Sequence, residues 1–371
     1  MLAGKWEREM KKWMRWALFL AGILAAASAH ADRIITAEDV RPPEGLTLCG
    51  EPVPFELNHV RERFEKEMLL SLWDRPQVLL WLKRSTRYMP FISKALEQAG
   101  MPDDIKYLAI VESALRPHAG SPKGAMGFWQ LMPATARKFG LTVDEFVDER
   151  RDLYLSTPVA LAYLKTLYAK FSSWTLALAA YNMGEEGVDA EVIEQRTHDY
   201  YRLYLPLETQ RFVFRMLSVK LIVNDPVAYG YQLSPEDYYA PIGFDTISVD
   251  CFQEAPLRLV AQAADADFKE IKDLNPHLRG HYLQAGHHQL RVPEGRSFGF
   301  SAKFEALLEA HSQELGQRIY VVQNGDSLSS IAKKFAVPLQ SLLIWNRIGL
   351  GKTLHPGDRL VIYPREAVAG H

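Results

Sequence analysis

One glutamate is the strongest candidate for acid–base chemistry in this sequence. A helix predicted to begin near Pro102 carries Glu112, with Leu108 one turn behind it and Leu115 one turn ahead. A carboxyl group on an apolar helix face is costly to ionise, so its pKa should rise, which suits a general acid. The spacing alone favours a simpler interpretation, a surface pair with Arg116 four residues further along the helix.

Two later segments carry groups that could bind a ligand. Residues 121–133 combine small residues with a tryptophan and Gln130, so the backbone can approach a ligand closely while the amide forms hydrogen bonds. Residues 179–184 end an apolar helix in Tyr181, Asn182 and a glycine. Both segments therefore indicate ligand binding.

The order and spacing of three motifs resemble one enzyme family. Glu-Ser at residues 112–113, G-A-x-G-x-W-Q-x-M-P at 124–133 and A-Y-N-x-G at 180–184 are similar to the catalytic domain of the Slt-type lytic transglycosylases. That family has a goose-type-lysozyme-like fold, and the resemblance covers roughly residues 52–230. Two further motifs resemble the membrane-bound lytic murein transglycosylase D group, Asp148-Glu149-Arg150 and Leu205 to Thr209.

The resemblance implies a mechanism with a single acid. Glu112 would protonate the glycosidic oxygen between N-acetylmuramic acid and N-acetylglucosamine. It would then take the proton of the muramyl C6 hydroxyl, which closes a 1,6-anhydro ring without water. At the other family positions, Ser121 would orient the muramyl residue, Gln130 and Met132 would line the glycan cleft, and Tyr181 and Asn182 would hydrogen-bond the sugar or the acid.

Two other functions stay open at this point. A muramidase on the same fold would use water and a second carboxylate, for which Glu185 and Glu186 are the candidates just past Asn182. A solvated pair fits them better, because the family pattern has no fixed acid there. A non-catalytic scaffold that binds glycan through the C-terminal part of the chain would leave the helical domain inactive, and the intact Glu112 argues against it.

The C-terminal part contains an internal repeat at an offset of 71 residues. No gap is required, since Asn275 matches Asn346 and residues 290–293 match residues 361–364. This predicts two copies of one unit of about 45 residues, each with the order strand, helix, helix, strand. In the second copy the predicted elements are 319–322, 327–335, 339–346 and 359–363.

The second copy is similar to a LysM module. The resemblance rests on Y-V-V-Q-N-G-D-S-L-S-S-I-A at residues 320–332, Asn346 and Pro-Gly-Asp at 356–358, and it implies binding of glycans that contain N-acetylglucosamine. The first copy looks like a degenerate LysM module because the Gly-Asp pair is missing, and a packing spacer is the alternative to a second glycan site. The expected glycan-binding residues are Gly325, Asp326, Ser327, Ile348 and Gly349.

The composition is that of globular domains. The 371 residues are 48% hydrophobic and 24% charged, which excludes disordered and collagen-like chains and predicts about two or three domains. Lys and Arg number 43 against 45 Asp and Glu, so the formal charge of −2 gives no reason to expect nucleic acid as a partner. We expect no cofactor and no metal, because the sequence has neither a phosphate-cradling glycine loop nor histidines at metal-ligand spacing.

The N-terminus has the features of a secretory signal peptide. Five basic residues precede an apolar run at 16–27 and a small-residue end at 28–31. The run is shorter than the about 20 residues that a membrane span needs, although an uncleaved anchor is the alternative. We expect cleavage after Ala31 and a periplasmic protein. Association with the envelope membrane is open, and no lipobox cysteine follows the run.

Export would expose the two cysteines to oxidising conditions. Cys49 and Cys251 could then form a disulfide, or both could be unpaired buried residues. The sequence does not decide between these alternatives.

Together these observations predict an α+β multidomain protein, with a mainly α, lysozyme-like (goose-type) catalytic domain followed by small βααβ LysM-type modules. The expected segments are a signal peptide at 1–31, a helical arm at 32–88, the transglycosylase domain at 89–230, a degenerate LysM-like module at 244–297, a helical linker at 299–317 and a LysM domain at 319–364.

Overall fold

The computed structural model describes residues 35–363, apart from the side chains of residues 314–318. The predicted signal peptide lies outside this part of the chain. Two compact units make up the described chain. The first contains the residues up to Val143 together with Arg150–Pro241, and the second contains Asp144–Glu149 together with the residues from Ile242 onward.

The first unit is mainly helical. One short antiparallel pair precedes the helices, in which β1 (Thr47–Leu48) pairs with β2 (Glu51–Pro52). The α-helices in chain order are α1 Asn58–Trp73, α2 Arg75–Ala99, α3 Lys106–Ser113, α4 Pro133–Lys138, α5 Leu153–Phe171, α6 Trp174–Met183, α7 Glu185–Gln195 and α8 Leu207–Asn224.

Helix α6 forms the core of the first unit. The residues from Leu176 to Ala180 are completely buried, and the helix packs against α5, α7 and α8. The alanines in this stretch let the neighbouring helices approach closely. Ser173 caps the start of the helix by accepting a hydrogen bond from the backbone N–H of Leu176. The last turn, with Tyr181 and Asn182, is therefore held by a rigid core.

The predicted helix that carries Glu112 ends earlier than expected, at Ser113. Ala114 and Leu115 have φ angles of 52° and 57°, in the left-handed region, and they turn the chain away from the helix axis. Arg116 therefore lies beyond the helix, and its Nε donates to the carbonyl of Ser113 over 3.0 Å. In the described structure it forms no ion pair with Glu112, so the pair considered from the sequence is absent.

In the second unit the first repeat copy has the predicted order of elements. Strand β3 (Phe244–Cys251) pairs antiparallel with β6 (Gly286–Pro293), and Ile247 lies opposite Leu290. Between them in sequence lie the two helices and a second short strand pair. These are β4 Ala255–Pro256, α9 Leu257–Ala263, α10 Phe268–Leu274 and β5 Tyr282–Leu283.

Helix α11 (Phe300–Arg318) is the segment predicted as a linker between the copies. Phe300 and Phe304 are 1% and 3% exposed, and their rings stack with centroids 5.7 Å apart. Both belong to the core of the first copy, and the helix packs against α9. The prediction of a helix is correct. The first turns of this helix, however, belong to the first copy, because their apolar side chains are buried in its core.

The second copy follows directly. Strand β7 (Ile319–Val321) pairs antiparallel with β8 (Arg359–Val361), and α12 (Leu328–Lys334) and α13 (Leu339–Asn346) lie between them in sequence. A separate apolar core holds these elements together, with Ile331 and Leu342 completely buried.

An asparagine joins helix to strand in each copy. The Asn275 side chain donates to the carbonyl of Arg291 over 2.7 Å and accepts from its N–H over 2.8 Å. Asn346 makes the same two bonds with Val361, over 2.8 and 2.6 Å. The ungapped alignment, which paired Arg291 with Ile362, is therefore wrong in the last strand by one residue, because the second copy has a shorter connection to that strand.

Both cysteines are buried and unpaired in the described chain, Cys49 in the first unit and Cys251 in the second. Burial raises the pKa of each thiol, which disfavours the reactive thiolate. The disulfide considered from the sequence is not formed in this structure.

Candidate active site

The carboxyl group of Glu112 lies in the last turn of α3 and is partly buried. It forms no hydrogen bond and no ion pair with any residue between 35 and 363. Burial raises its pKa to about 8, against a smaller lowering by Arg215 and with a small further rise from Glu208. The group is therefore mainly protonated at neutral pH and has a proton to give to a ligand, as a general acid requires.

Tyr181 lies within electrostatic reach of Glu112. Burial raises the pKa of Tyr181 well above its ordinary value, and the charge of Glu112 raises it further, so the hydroxyl group stays protonated. This hydroxyl donates to the carbonyl of Trp129 over 2.6 Å. The hydroxyl proton of Tyr181 is thus used within the protein. Only the lone pairs of its oxygen remain to accept a hydrogen bond from the acid or from a sugar hydroxyl.

Trp129 is completely buried, and its indole N–H donates to the hydroxyl of Thr157 over 3.0 Å. Gln130 uses its amide NH2 group within the same loop, donating to the carbonyls of Ala119 and Gly127 over 2.8 and 2.9 Å. Only the amide oxygen of Gln130 therefore remains for the glycan contact that the sequence predicts. The NH2 group instead holds the loop, since both of its donors are used.

The loop is braced against Arg150. Gly127 has a φ of +84°, and a Cβ atom there would lie 1.7 Å from the carbonyl oxygen of Arg150, so only glycine fits. One guanidinium nitrogen of Arg150 donates to the carbonyls of Gly124 and Leu131, over 2.8 and 2.9 Å. These contacts fix the loop that follows the acid.

Ser121 and Met132 flank this loop. The hydroxyl of Ser121 accepts from the backbone N–H of Ala125 over 3.1 Å, and its side chain is partly buried. Met132 is 42% exposed immediately before α4. No hydrogen bond joins either residue to Glu112 in the described structure, so their predicted roles in glycan binding stay predictions.

Asn182 is partly buried at the end of α6. Its Oδ1 accepts a hydrogen bond from the hydroxyl of Thr209. Glu185 and Glu186, the candidates for a second carboxylate, form the first turn of α7. Negative charge in this position interacts favourably with the helix dipole, which gives both residues a structural role.

Sequence reasoning missed two charged residues near Glu112. Glu208 and Arg215 form an ion pair on α8, and both change the pKa of Glu112. They are seven residues apart, about two helical turns, and so lie on one face of the helix. This spacing could have indicated the ion pair from the sequence, because Glu208 already belonged to the motif at 205–209.

Three of the residues predicted to bind glycan in the second copy shape the turn before α12. Asp326 accepts from the hydroxyl of Tyr320 and the backbone N–H of Gln323, both over 2.7 Å, and the bond from Tyr320 lowers the pKa of Asp326. Gly325 has a φ of +88°. Ser327 caps the helix.

The other two residues lie in the loop after α13. Ile348 is partly buried and Gly349 is exposed. Next to them Leu350 is 72% exposed, and Ile344 on α13 is 54% exposed. This loop therefore presents apolar surface to the solvent.

None of the helices between residues 35 and 363 combines the length and the apolar character that a membrane span requires. In the same range no three His, Cys, Asp or Glu side chains are grouped so that they could hold a metal ion.

Three stretches of the chain match known domain families. Residues 89–203 match the transglycosylase SLT domain. Residues 243–309 match the LysM-like domain of lytic transglycosylase MltD, and residues 320–362 match the LysM domain. The match from 243 to 309 includes the first half of α11, in agreement with the packing of that helix.

The chain is similar to the membrane-bound lytic murein transglycosylases D of Escherichia coli strains K12 and O6:H1. It is 32% identical to each over 293 residues, which are 75% of this chain and 64% of the relative. The chain thus spans less than two thirds of the length of these relatives.

Two solved structures align with parts of the chain. An inactive mutant of the lytic transglycosylase Slt from Pseudomonas aeruginosa aligns with a TM-score of 0.29 and 22% identity, over 43% of this chain and 26% of that one. The 70 kDa soluble lytic transglycosylase of Escherichia coli aligns with a TM-score of 0.34 and 20% identity, over 49% and 32%. At these scores neither alignment bears on the geometry of the site.

Proposed function

We propose that this chain, which combines a transglycosylase SLT domain with two LysM-type domains, is a lytic transglycosylase of peptidoglycan. It would cleave the β-1,4 bond between N-acetylmuramic acid and N-acetylglucosamine without water and leave 1,6-anhydromuramyl ends. The observation that carries the proposal is the carboxyl group of Glu112, which has a pKa of about 8 and no protein partner among the described residues.

In this mechanism Glu112 serves first as acid and then as base. Its proton passes to the glycosidic oxygen as that bond breaks and positive charge develops on the muramyl ring. The resulting carboxylate then takes the proton of the muramyl C6 hydroxyl. At the same time the oxygen of that hydroxyl attacks C1 and closes the anhydro ring. The partly buried position favours this last step, because a raised pKa makes the carboxylate a stronger base.

The surroundings of Glu112 support a transglycosylase over a muramidase. Most glycosidases that hydrolyse their substrate use a second carboxylate as base or nucleophile. Glu208 is ion-paired with Arg215, and Glu185 and Glu186 form the first turn of α7. Glu208 thus has a charged partner, and Glu185 and Glu186 lie where the helix dipole stabilises negative charge, whereas Glu112 forms no ion pair or hydrogen bond with any described residue.

The same proposal places the protein in the periplasm. Residues 1–31 would act as the export signal, and the LysM domain at 320–362 would hold the enzyme on glycan strands. The relatives named above are called membrane-bound, which supports an association with the cell envelope.

The test is digestion of purified sacculi by the wild type and by Glu112→Gln. New muramyl ends would be identified by mass spectrometry before and after borohydride treatment. We expect ends that lack one water and resist reduction. The substitution should lower the rate at least about a hundredfold, because it removes the transferable proton, and leave binding to sacculi intact.

Glu186→Gln is the matched control, since this glutamate is exposed at the start of α7. It should cleave like the wild type. Reducible ends would identify a muramidase instead, and turnover by Glu112→Gln would remove Glu112 from the mechanism.

A further inference from the structure

A cavity of about 260 Å³ borders Glu112 on a side that the motifs did not indicate. Its walls come from α1, α2, α3 and α8, with Glu67, Trp81 and Arg211 among them. The predicted glycan-binding residues of the first unit do not contribute to these walls in the described structure. The cavity is therefore distinct from the loop that carries Gln130.

Two of the three acidic side chains in the cavity wall are already engaged. Glu67 is 2% exposed and is held by two guanidinium nitrogens of Arg211, over 2.6 and 3.1 Å. Asp74 caps α2 by accepting from the backbone N–H of Gln77. The third acid, Glu112, is mainly neutral at pH 7. The wall thus has little unbalanced negative charge.

Three guanidinium groups in the wall keep donors to spare. Arg116 uses only Nε, toward a backbone carbonyl, and Arg211 uses Nε and Nη2 toward Glu67. Arg215 uses Nη2 toward Glu208. The Nη1 group of each arginine has no acceptor among the described residues. The side chains of Arg211 and Arg215 are 30% and 29% exposed, so an anion from solution can reach them.

We propose that this cavity binds a carboxylate of the acidic peptide that the muramyl residue carries in peptidoglycan, an inference that rests on the proposed function. Guanidinium groups match carboxylates in both charge and geometry. The volume is smaller than the about 300–1,000 Å³ of sites that enclose a whole ligand, so the cavity takes one part of a longer substrate. Because the cavity borders Glu112, a bound peptide would place its own muramyl residue at the bond that is cleaved.

The test compares two soluble substrates with the full-length enzyme. The first is uncross-linked glycan strands with their peptides, and the second is the same strands after carbodiimide and ammonia convert the peptide carboxylates to amides. For the wild type we expect a KM about tenfold lower on the unmodified strands, with similar kcat, since a charged hydrogen-bonded pair is lost on amidation. Arg116→Gln should shrink this preference to about twofold.

Arg202→Gln is the matched control. Arg202 is an exposed arginine whose Nε pairs with Asp199, and it does not line the cavity. This variant should keep the wild-type preference. Arg215→Gln is a second variant, included because Arg116→Gln could disturb the turn after α3. It should also reduce the preference for the unmodified strands.

Three results would overturn the inference. Equal kcat/KM of the wild type on both substrates would remove the peptide site and leave the transglycosylase intact. An equal loss on both substrates in Arg116→Gln and in Arg215→Gln would assign these arginines a structural role only. No cleavage of either substrate by the wild type would contradict the proposed function itself, and this inference with it.

Discussion

The hydroxyl group of Thr209 donates a hydrogen bond of 2.8 Å to Oδ1 of Asn182. The two residues come from α8 and α6, and Thr209 is 1% exposed, whereas Asn182 is partly buried. Because the amide oxygen of Asn182 accepts this bond from a buried residue, the bond fixes the orientation of the Asn182 amide group. The NH2 group of Asn182 has no acceptor among residues 35–363 and is left to donate to a ligand.

Thr209→Val should therefore impair catalysis more than folding. Valine has nearly the same shape but cannot donate, so the Asn182 amide would lose its fixed orientation. We expect kcat/KM on soluble glycan strands to fall about three- to tenfold, the effect of one neutral hydrogen bond. The melting temperature should change little, since water can reach Asn182.

Thr166→Val is the control for this substitution, because the Thr166 hydroxyl bonds the carbonyl of Ala162 on an exposed part of α5. It should leave kcat/KM unchanged. A large fall in melting temperature for Thr209→Val would mean that its hydroxyl acts on stability instead.

The pKa of Glu112 predicts the direction of the pH dependence. Burial raises this pKa to about 8, and the protonated form is the active acid. The rate constant kcat/KM should therefore be lost as pH rises through about 8, falling about tenfold per pH unit above it. A profile on soluble strands from about pH 5 to about pH 10 checks this, and a rate that rises across that range would contradict the role of Glu112.

Glu208→Gln tests the electrostatic part of the same prediction. The charge of Glu208 raises the pKa of Glu112, and its removal also frees Arg215, which lowers it. The alkaline limb should therefore move to lower pH. The shift should be less than about one unit, because Glu208 is exposed and solvent screens its charge.

Gly127→Ala should destabilise the loop after the acid. Its Cβ atom would lie 1.7 Å from the carbonyl oxygen of Arg150, and its φ is +84°. We expect a loss of about 2–4 kcal/mol in the free energy of unfolding, from overpacking and backbone strain together. Urea unfolding of the two proteins measures it.

Gly124→Ala separates these two causes. Gly124 has a φ of +90°, but no described atom lies within 4 Å of its Cβ position. It should cost only the backbone strain, about 1–2 kcal/mol. Equal losses at both positions would show that the loop moves away from Arg150 without penalty.

Removal of residues 319–371 should weaken binding to sacculi more than it slows cleavage of short soluble glycans. The second copy has its own apolar core, around Ile331 and Leu342, so its loss does not open the core of the first copy. Cosedimentation with sacculi and kcat on short strands measure the two effects. An unchanged cosedimentation profile would refute a binding role for the LysM domain.

Local pattern was enough to predict the repeat, whereas the choice of Glu112 as the acid needed the family resemblance and stays a prediction. The apolar neighbours of Glu112 alone favoured a surface pair with Arg116, and the motifs made it the candidate acid, while Asn275 and Asn346 were matched by a single offset. The one-residue shift in the last strand was missed because it depends on the bonds of these asparagines to Arg291 and Val361, which join residues distant in sequence.

Two other features of the site could not be predicted, because they depend on how the chain folds back on itself. The end of α3 lies at two non-glycine residues, Ala114 and Leu115, and the nearest helix-stop residue, Pro117, predicts a later end. The amide of Gln130 has the chemistry of a ligand-binding group, but its donors meet the carbonyls of Ala119 and Gly127. Propensity and motif do not show where a loop folds back on itself.

The early end of α3 also places Glu112 close to the negative pole of the helix dipole. The last carbonyl groups of a helix point in one direction and together carry a partial negative charge of about half an elementary charge. Glu112 is the next-to-last residue of α3, so it lies beside this negative pole, which disfavours a carboxylate. A carboxyl group at Leu108, one turn earlier, would be further from that pole. The left-handed residues Ala114 and Leu115 end the helix at this point, and by the same backbone angles they place the acid beside the negative pole.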